Sequence, residues 1–377
     1  MKIGIDARFY GPQEKGLGRY VQKLIEHLQV LDHENSYVVF LQPDRIKDFP
    51  IPSPKWRAVA APYRWYTISE QLKMPKLLSQ EHVDFMHFPH FNVPIFYRGP
   101  YLITIHDLII TKHPKRRAST LGPFTYWLKY AAYKFVVANA VRKASRILTV
   151  SKHSKKEIQD YYHIPEDRIV VTYEAADPPR DLPALHDIAH YNIHAPYLLY
   201  VGNAHPHKNL ERLLSAFAQF REEHPEYSLV LVGSHDYFYQ RLMQEAETSK
   251  LNTNVIFPGF VPDEDLGLLY AQATAYVFPS MSEGFGLPPL EAMYRGTPVV
   301  SSNATCLPEI LGDAVLYMDP MHVSAIAHAM EQIVTDQELR NQLIERGRQQ
   351  VQRFSWDRMA KETLAIYQSF ETSTHAT

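Results

Sequence analysis

Residues Ala275 to Ser301 read AYVFPSMSEGFGLPPLEAMYRGTPVVS. The run opens with four apolar residues, Ala275 to Phe278, as a buried strand would. A loop carrying Glu283, Gly284, Phe285 and Gly286 follows. Pro288 and Pro289 then open a helix, since proline suits a first turn that needs no backbone N–H. Glu291 is expected in that first turn. Gly296 ends the helix, and Pro298-Val299-Val300 begins another strand.

The result is a strand, a glycine-bearing loop and a helix N-terminus. Such a terminus presents backbone N–H groups and the positive end of the helix dipole, and so favours an anion. Glycine lets a ligand approach the backbone closely. Carboxylates on both sides of the loop accept hydrogen bonds from hydroxyls. A phosphorylated, hydroxyl-rich ligand fits this combination. Taken singly, Glu291 need only complement the dipole, and Glu283 need only be a solvated loop charge.

As a whole, Glu283 and Glu291 with GFGLPPLEAM between them resemble the donor-site motif of retaining GT-B glycosyltransferases of family 4. The resemblance implies that Glu283 contacts the donor hexose and that Glu291 holds the ribose. It also implies that the backbone of Phe285, Gly286 and Leu287 meets the diphosphate.

The chain of 377 residues is long enough for two domains, each with its own core. Its single cysteine, Cys306, excludes an intramolecular disulfide and fits a reducing compartment. The opening MKIGIDARF reads as a strand rather than a signal peptide, and no run approaches the ~18 apolar residues of a membrane span. Cytoplasmic residence is the expectation. No repeat, zinc-like Cys/His cluster or nucleic-acid module is recognisable, so no metal and no nucleic-acid partner is expected. Charge is distributed unevenly. Of the 39 Lys and Arg residues, twelve lie between Leu108 and Lys156, a segment without Asp or Glu, which leaves 27 against 41 acidic residues elsewhere. These charges are interleaved with Phe124, Tyr126, Trp127, Tyr130, Tyr133 and Phe135. Such a face suits an anionic membrane surface, and equally a core helix with a solvated side.

In chain order, Lys2–Phe9 reads as a strand and leads through Gly16-Leu17-Gly18 into a helix with Val21, Leu24, Ile25 and Leu28 on one face. The third glycine of a dinucleotide fingerprint is missing, which disfavours a nicotinamide enzyme. The string IDAR…GLGRY resembles the first loop of the same glycosyltransferases, which places Gly16 and Gly18 against the diphosphate and the acceptor. Pro43 to Pro62 reads as loop. The strand Tyr101–Ile105 ends at His106-Asp107, where ligands of open α/β sheets bind. TIHDL resembles the family element whose histidine faces the donor sugar, with Asp107 expected to orient His106. Tyr197–Gly202 is a strand entering Asn203-Ala204-His205-Pro206-His207-Lys208, and YVGN…HKNLERLL resembles the segment with the family's phosphate-binding lysine, here Lys208. Asn203 stands where many members carry an arginine. The GFV turn containing Phe260 and Val261 is implied to border the nucleobase. Leu307–Ile310 and Ala314–Tyr317 are expected to complete the second sheet.

The expected architecture is therefore α/β of GT-B type: two Rossmann-like domains facing a cleft, at 1–177 and 197–355, joined by a linker at 178–196. A helix and tail at 356–377 would cross back to the first domain. The implied reaction moves a hexosyl group, mannosyl first, from a nucleoside-diphosphate sugar to a hydroxyl of a glycan or lipid-linked acceptor, with retention and without metal. GDP-mannose is the favoured donor and a UDP-sugar the second, with no further cofactor. His106, Lys208 and Glu283 are the implied catalytic residues. Alternatives are a GT-B sugar-nucleotide epimerase or phosphorylase, and a silent binding partner in polysaccharide assembly.

Overall fold

The computed structural model describes residues 1–11, 14–112, 123–178, 188–194, 196–249, 251 and 254–374. Two units emerge, Met1–Glu174 together with Ser355–Thr377, and Ala175–Phe354. The divisions fall at Glu174 and Phe354.

The first unit is built on seven strands: β1 (Lys2–Asp6), β2 (Ser36–Leu41), β3 (Trp56–Ala60), β4 (Phe85–Phe88), β5 (Tyr101–Ile105), β6 (Arg146–Thr149) and β7 (Ile169–Val171). They lie in the order β3-β2-β1-β4-β5-β6-β7, and every pairing is parallel. A parallel sheet is covered on both faces, which is why its inner strands are almost wholly apolar and buried. Helices α1 (Lys15–Leu31), α2 (Ile68–Gln80), α3 (Ile109–Lys112), α4 (Pro123–Lys143) and α5 (Lys152–Tyr162) connect them. The alternation along β4 shows the two layers. Met86 and Phe88 join the core shared with α2 and α4, while Phe85 and His87 meet Tyr367 of the C-terminal helix Trp356–Thr374. That helix packs against α1.

Strand β3 lies inside the segment expected to be loop. It is an edge strand, with Trp56 buried and Arg57 exposed, so its sequence lacks the continuous apolar run of an inner strand. Stacking of Trp56 on Tyr37 of β2, with ring centroids 4.1 Å apart, sets its register.

The second unit holds β8 (Tyr197–Val201), β9 (Ser228–Val232), β10 (Val255–Gly259), β11 (Ala275–Phe278), β12 (Val299–Ser302) and β13 (Leu316–Met318). Their order is β10-β9-β8-β11-β12-β13, again parallel throughout. The helices are α6 (Leu210–Glu223), α7 (Tyr237–Thr248), α8 (Asp263–Gln272), α9 (Leu287–Tyr294), α10 (Leu307–Leu311), α11 (Val323–Thr335) and α12 (Gln337–Val351). Residues 307–310 are thus helical rather than part of the sheet. Pro308 sits at the start of α10, where a missing N–H costs nothing, but it would remove a ladder bond from a strand.

Both units share the doubly wound order in which strand direction of growth reverses beside the first strand. The reversal lies between β1 and β4 in one unit and between β8 and β11 in the other. Crevices at the carboxyl ends of such strands bind ligands, and the residues singled out by sequence leave those strands or their neighbours.

Candidate active site

In the second unit, the loop after β11 is tied down before it reaches α9. Ser302 donates its hydroxyl to Ser280 O at 2.5 Å, and Glu283 N donates to Thr305 Oγ1 at 3.1 Å. The Cys306 thiol is buried and bridges Glu283 O (3.3 Å) and Phe285 O (3.4 Å), which gives the lone cysteine a structural use. Burial pushes that thiol's pKa well up, so it is poorly suited to nucleophilic work. Gly286 caps α9 at φ +97°, a conformation that a side chain would strain, and a Cβ there would come 2.8 Å from Leu307. Pro288 and Pro289 carry no N–H, so the amides of Gly286 and Leu287 mark the start of the helix, while Phe285 is buried beneath them.

The loop after β8 ends in a 3-10 turn, Pro206–Lys208. Met281 N donates to His207 O at 2.8 Å, lacing the two loops together. Asn209, in the left-handed region at φ +65°, donates to Pro279 O (3.1 Å) and Pro320 O (2.7 Å). This scaffold puts Lys208 Nζ 2.6 Å from Glu283 Oε1, with side chains only 13% and 10% exposed. Lys208 also lies 5.5 Å from the Phe278 ring centroid. The two residues assigned separate ligands by sequence therefore form one ion pair.

Glu291 lies in the second turn of α9 rather than the first, because the helix begins at Leu287. Tyr270 of α8 donates to its Oε2 at 3.3 Å. Asn203 turns its side chain back to accept from His205 N at 3.2 Å, which stiffens the β8 loop. Phe260 is 76% exposed beyond β10, and Val261 is buried.

In the first unit, His106 leaves β5 with both ring nitrogens engaged. Nδ1 is 2.9 Å from Glu174 Oε1, and Nε2 is 3.1 Å from Pro89 O. The ring of Tyr20 meets it edge-on at 4.8 Å. Both partners are acceptors, which suits an imidazolium. Burial alone would lower the pKa of His106, but the hydrogen bond and charge of Glu174 outweigh it and raise it. The ring nitrogens of His106 meet Glu174 and Pro89 rather than Asp107, whose charge adds to the rise of the His106 pKa. Asp107 Oδ1 accepts from Ile109 N at 2.9 Å and starts α3. Glu174 stands 68 residues from its partner in sequence, outside every local string. The one available signal was a carboxylate just past a short apolar strand. Of the first-loop glycines, Gly16 is exposed, whereas Gly18 is buried with Gly11 O only 2.0 Å from where a Cβ would stand.

Residues 15–180 match the family model described as Glycosyltransferase Family 4, and residues 188–350 match that for Glycosyl transferases group 1. Sucrose-phosphate synthase from Thermosynechococcus elongatus superposes with a TM-score of 0.78 at 22% identity, covering 99% of this chain and 100% of that one. Anabaena HepE in complex with UDP-glucose gives 0.74 at 17% identity, covering 98% and 99%. The fold is that of the GT-B glycosyltransferases. The O-antigen chain mannosyltransferase B of Escherichia coli is 32% identical over 380 residues, spanning 93% of this chain and 95% of that protein. The chain belongs to the glycosyl transferases group 1, family 4.

Proposed function

We propose that the protein transfers a mannosyl group from a nucleoside-diphosphate sugar to a hydroxyl of a growing glycan or lipid-linked acceptor, with retention and without a required metal. The observation that carries this reading is the Lys208–Glu283 pair beside the α9 N-terminus. Departure of a nucleoside diphosphate builds negative charge on its β-phosphate. A positioned ammonium and the amides of a helix start offset that charge best in a site shielded from water. Glu283, held by Lys208 and by its own backbone, is a hydroxyl acceptor for the sugar. Glu291 is a hydroxyl acceptor for the ribose, and Tyr270 steadies it. For His106, whose pKa Glu174 raises, the family resemblance supports a role facing the donor sugar.

The mannosyl assignment is supported by the name of the Escherichia coli relative. GDP-mannose is therefore the first donor to test, and the UDP-glucose complex of HepE makes UDP-sugars the second. The decisive experiment mixes the protein with GDP-mannose and follows free GDP with and without a mannose-terminated acceptor. A transferase releases GDP in step with glycan extension. An epimerase or phosphorylase does not.

The reading extends to a membrane surface. Trp127, Leu128 and Phe135 of α4 are 53–62% exposed, and the exposed Lys129 and Lys134 lie among them. Exposed apolar rings among cations match an anionic lipid surface. Lys115, Arg116 and Arg117 fall outside the described residues. Among the described residues no helix is long and apolar enough to cross a membrane.

A further inference from the structure

The chain leaving β1 and β4 carries a set of groups that the donor chemistry does not use. Phe9 follows β1, His90 and Phe91 follow β4, and Trp65 and Tyr66 come from the loop between β3 and α2. Trp65 stacks on Phe9 with centroids 4.3 Å apart. His90 lies 5.2 Å from Phe9 and 3.8 Å from Phe91. The Tyr66 hydroxyl stands 3.4 Å from His90 Nδ1. Tyr66 is 56% exposed and sits at φ +63°, a strained conformation for an aromatic residue.

A buried charge cluster holds this strained loop. Arg8 Nη2 lies 2.7 Å from both Asp6 and Glu70, and the side chains of Arg8 and Glu70 have no exposed surface. Arg8 Nη1 donates to Tyr63 O at 2.9 Å. Glu70 accepts from Tyr66 N and from Asn92 Nδ2, each at 2.7 Å. The cluster thereby fixes both loops that carry the aromatic residues. Buried ion pairs add little net stability over apolar packing, so their contribution here is positional. Burial and the charges of His106 and Arg8 hold the His90 pKa down at about 3, which leaves a neutral ring beside the rim.

We propose that Trp65 and Tyr66, with His90 at their edge, form a binding platform for a hexopyranose unit of the acceptor. This rests on the glycosyltransferase reading only for the word acceptor. One face of a pyranose is lined by C–H bonds and its rim by hydroxyls. Flat, partly exposed rings edged by a phenol and a neutral imidazole match both features. Arg8 is already matched by two carboxylates, so it offers no uncompensated charge to a phosphate. The platform adjoins the reactive histidine, since His106 Nε2 holds Pro89, the residue before His90.

The test is ligand-observed NMR of an α-linked mannobiose, with maltose in a parallel arm, against wild type, Trp65→Ala, Tyr66→Ala and Tyr66→Phe, without donor. Calorimetry with GDP-mannose and UDP-glucose is run on the same samples. The platform predicts disaccharide binding that falls about tenfold in each alanine variant and less in Tyr66→Phe, with donor affinity unchanged. Tyr66 is exposed, so its replacement remains informative even if Trp65→Ala does not fold. Equal disaccharide binding by wild type and both alanine variants overturns the platform. So does a wild type that binds a nucleotide sugar but no disaccharide, which leaves the transferase reading standing. Platform-dependent disaccharide binding with no affinity for any nucleotide sugar keeps the platform and removes the transferase reading.

Discussion

Lys208 and Glu283, 75 residues apart in the chain, stand 2.6 Å apart with little exposed surface on either. Each therefore depends on the other as well as on a ligand. Lys208→Ala removes the cation that would offset leaving-group charge and should lower kcat/KM by about 10²–10³. Glu283→Ala leaves an ammonium without its partner in a largely closed site, so it should also destabilise the fold, by about 3 kcal/mol. Glu283→Gln retains an acceptor and should be milder in denaturant unfolding. Equal stability of the alanine and glutamine variants would show that the pair is incidental.

His106 and Glu174 make a pH prediction. The pKa of His106 is raised on folding, against burial, by the hydrogen bond and charge of Glu174. A raised folded-state pKa contributes stability that is complete below the unfolded histidine value and is lost as pH rises through the folded one. Turnover that needs the imidazolium should fall as pH rises through that folded-state value. Glu174→Gln keeps an acceptor but removes the charge, so the alkaline limb of the rate profile should move to lower pH. His106→Ala should lower turnover more than donor affinity. An unmoved limb in Glu174→Gln would assign the limb to another group.

Much of this was legible beforehand, for identifiable reasons. Pro288, Pro289 and the glycine-bearing loop announced a helix start because those residue types act locally, through φ and the missing N–H. The α1 face was legible from its 3.6-residue spacing, and Val21, Leu24, Ile25 and Leu28 are all fully buried. What depended on distant partners was not. Glu174 reaches His106 only because β5, β6 and β7 lie side by side, so the partner of Nδ1 is a distant residue and not the adjacent Asp107. Strand β3 was hidden because an edge strand need bury only half its residues. Glu291 falls just past the first turn because the helix starts at Leu287, one residue before the prolines that marked it.

Glu291→Gln should weaken donor binding by about 1–3 kcal/mol, the loss of one charged hydrogen bond in a confined site. Tyr270→Phe should cost less, since it removes only the group that steadies the carboxylate. Titration calorimetry with GDP-mannose checks both. Unchanged affinity in Glu291→Gln would remove that residue from the ribose.

Vesicles containing anionic lipid should bind the protein at low salt and release it as salt screens the attraction. Each well-placed Lys or Arg contributes about 1 kcal/mol near such a surface. The double variant Lys129→Glu, Lys134→Glu should therefore bind vesicles more weakly while its donor affinity stays the same. Indifference of the wild type to anionic vesicles at low salt would leave a soluble acceptor as the better reading.

The central claim is sugar transfer from a nucleoside-diphosphate donor by the site around Lys208 and Glu283. One NMR experiment tests it directly: GDP-mannose and a mannose-terminated acceptor are incubated with the protein in EDTA, and GDP and the new anomeric signal are followed together. The account predicts equal appearance of GDP and an α-linked product, undiminished by EDTA and nearly abolished in Lys208→Ala. An inverted linkage, or activity restored only by a divalent ion, would contradict the mechanism. If neither GDP-mannose nor any UDP-sugar in a parallel panel is consumed, the claim itself fails.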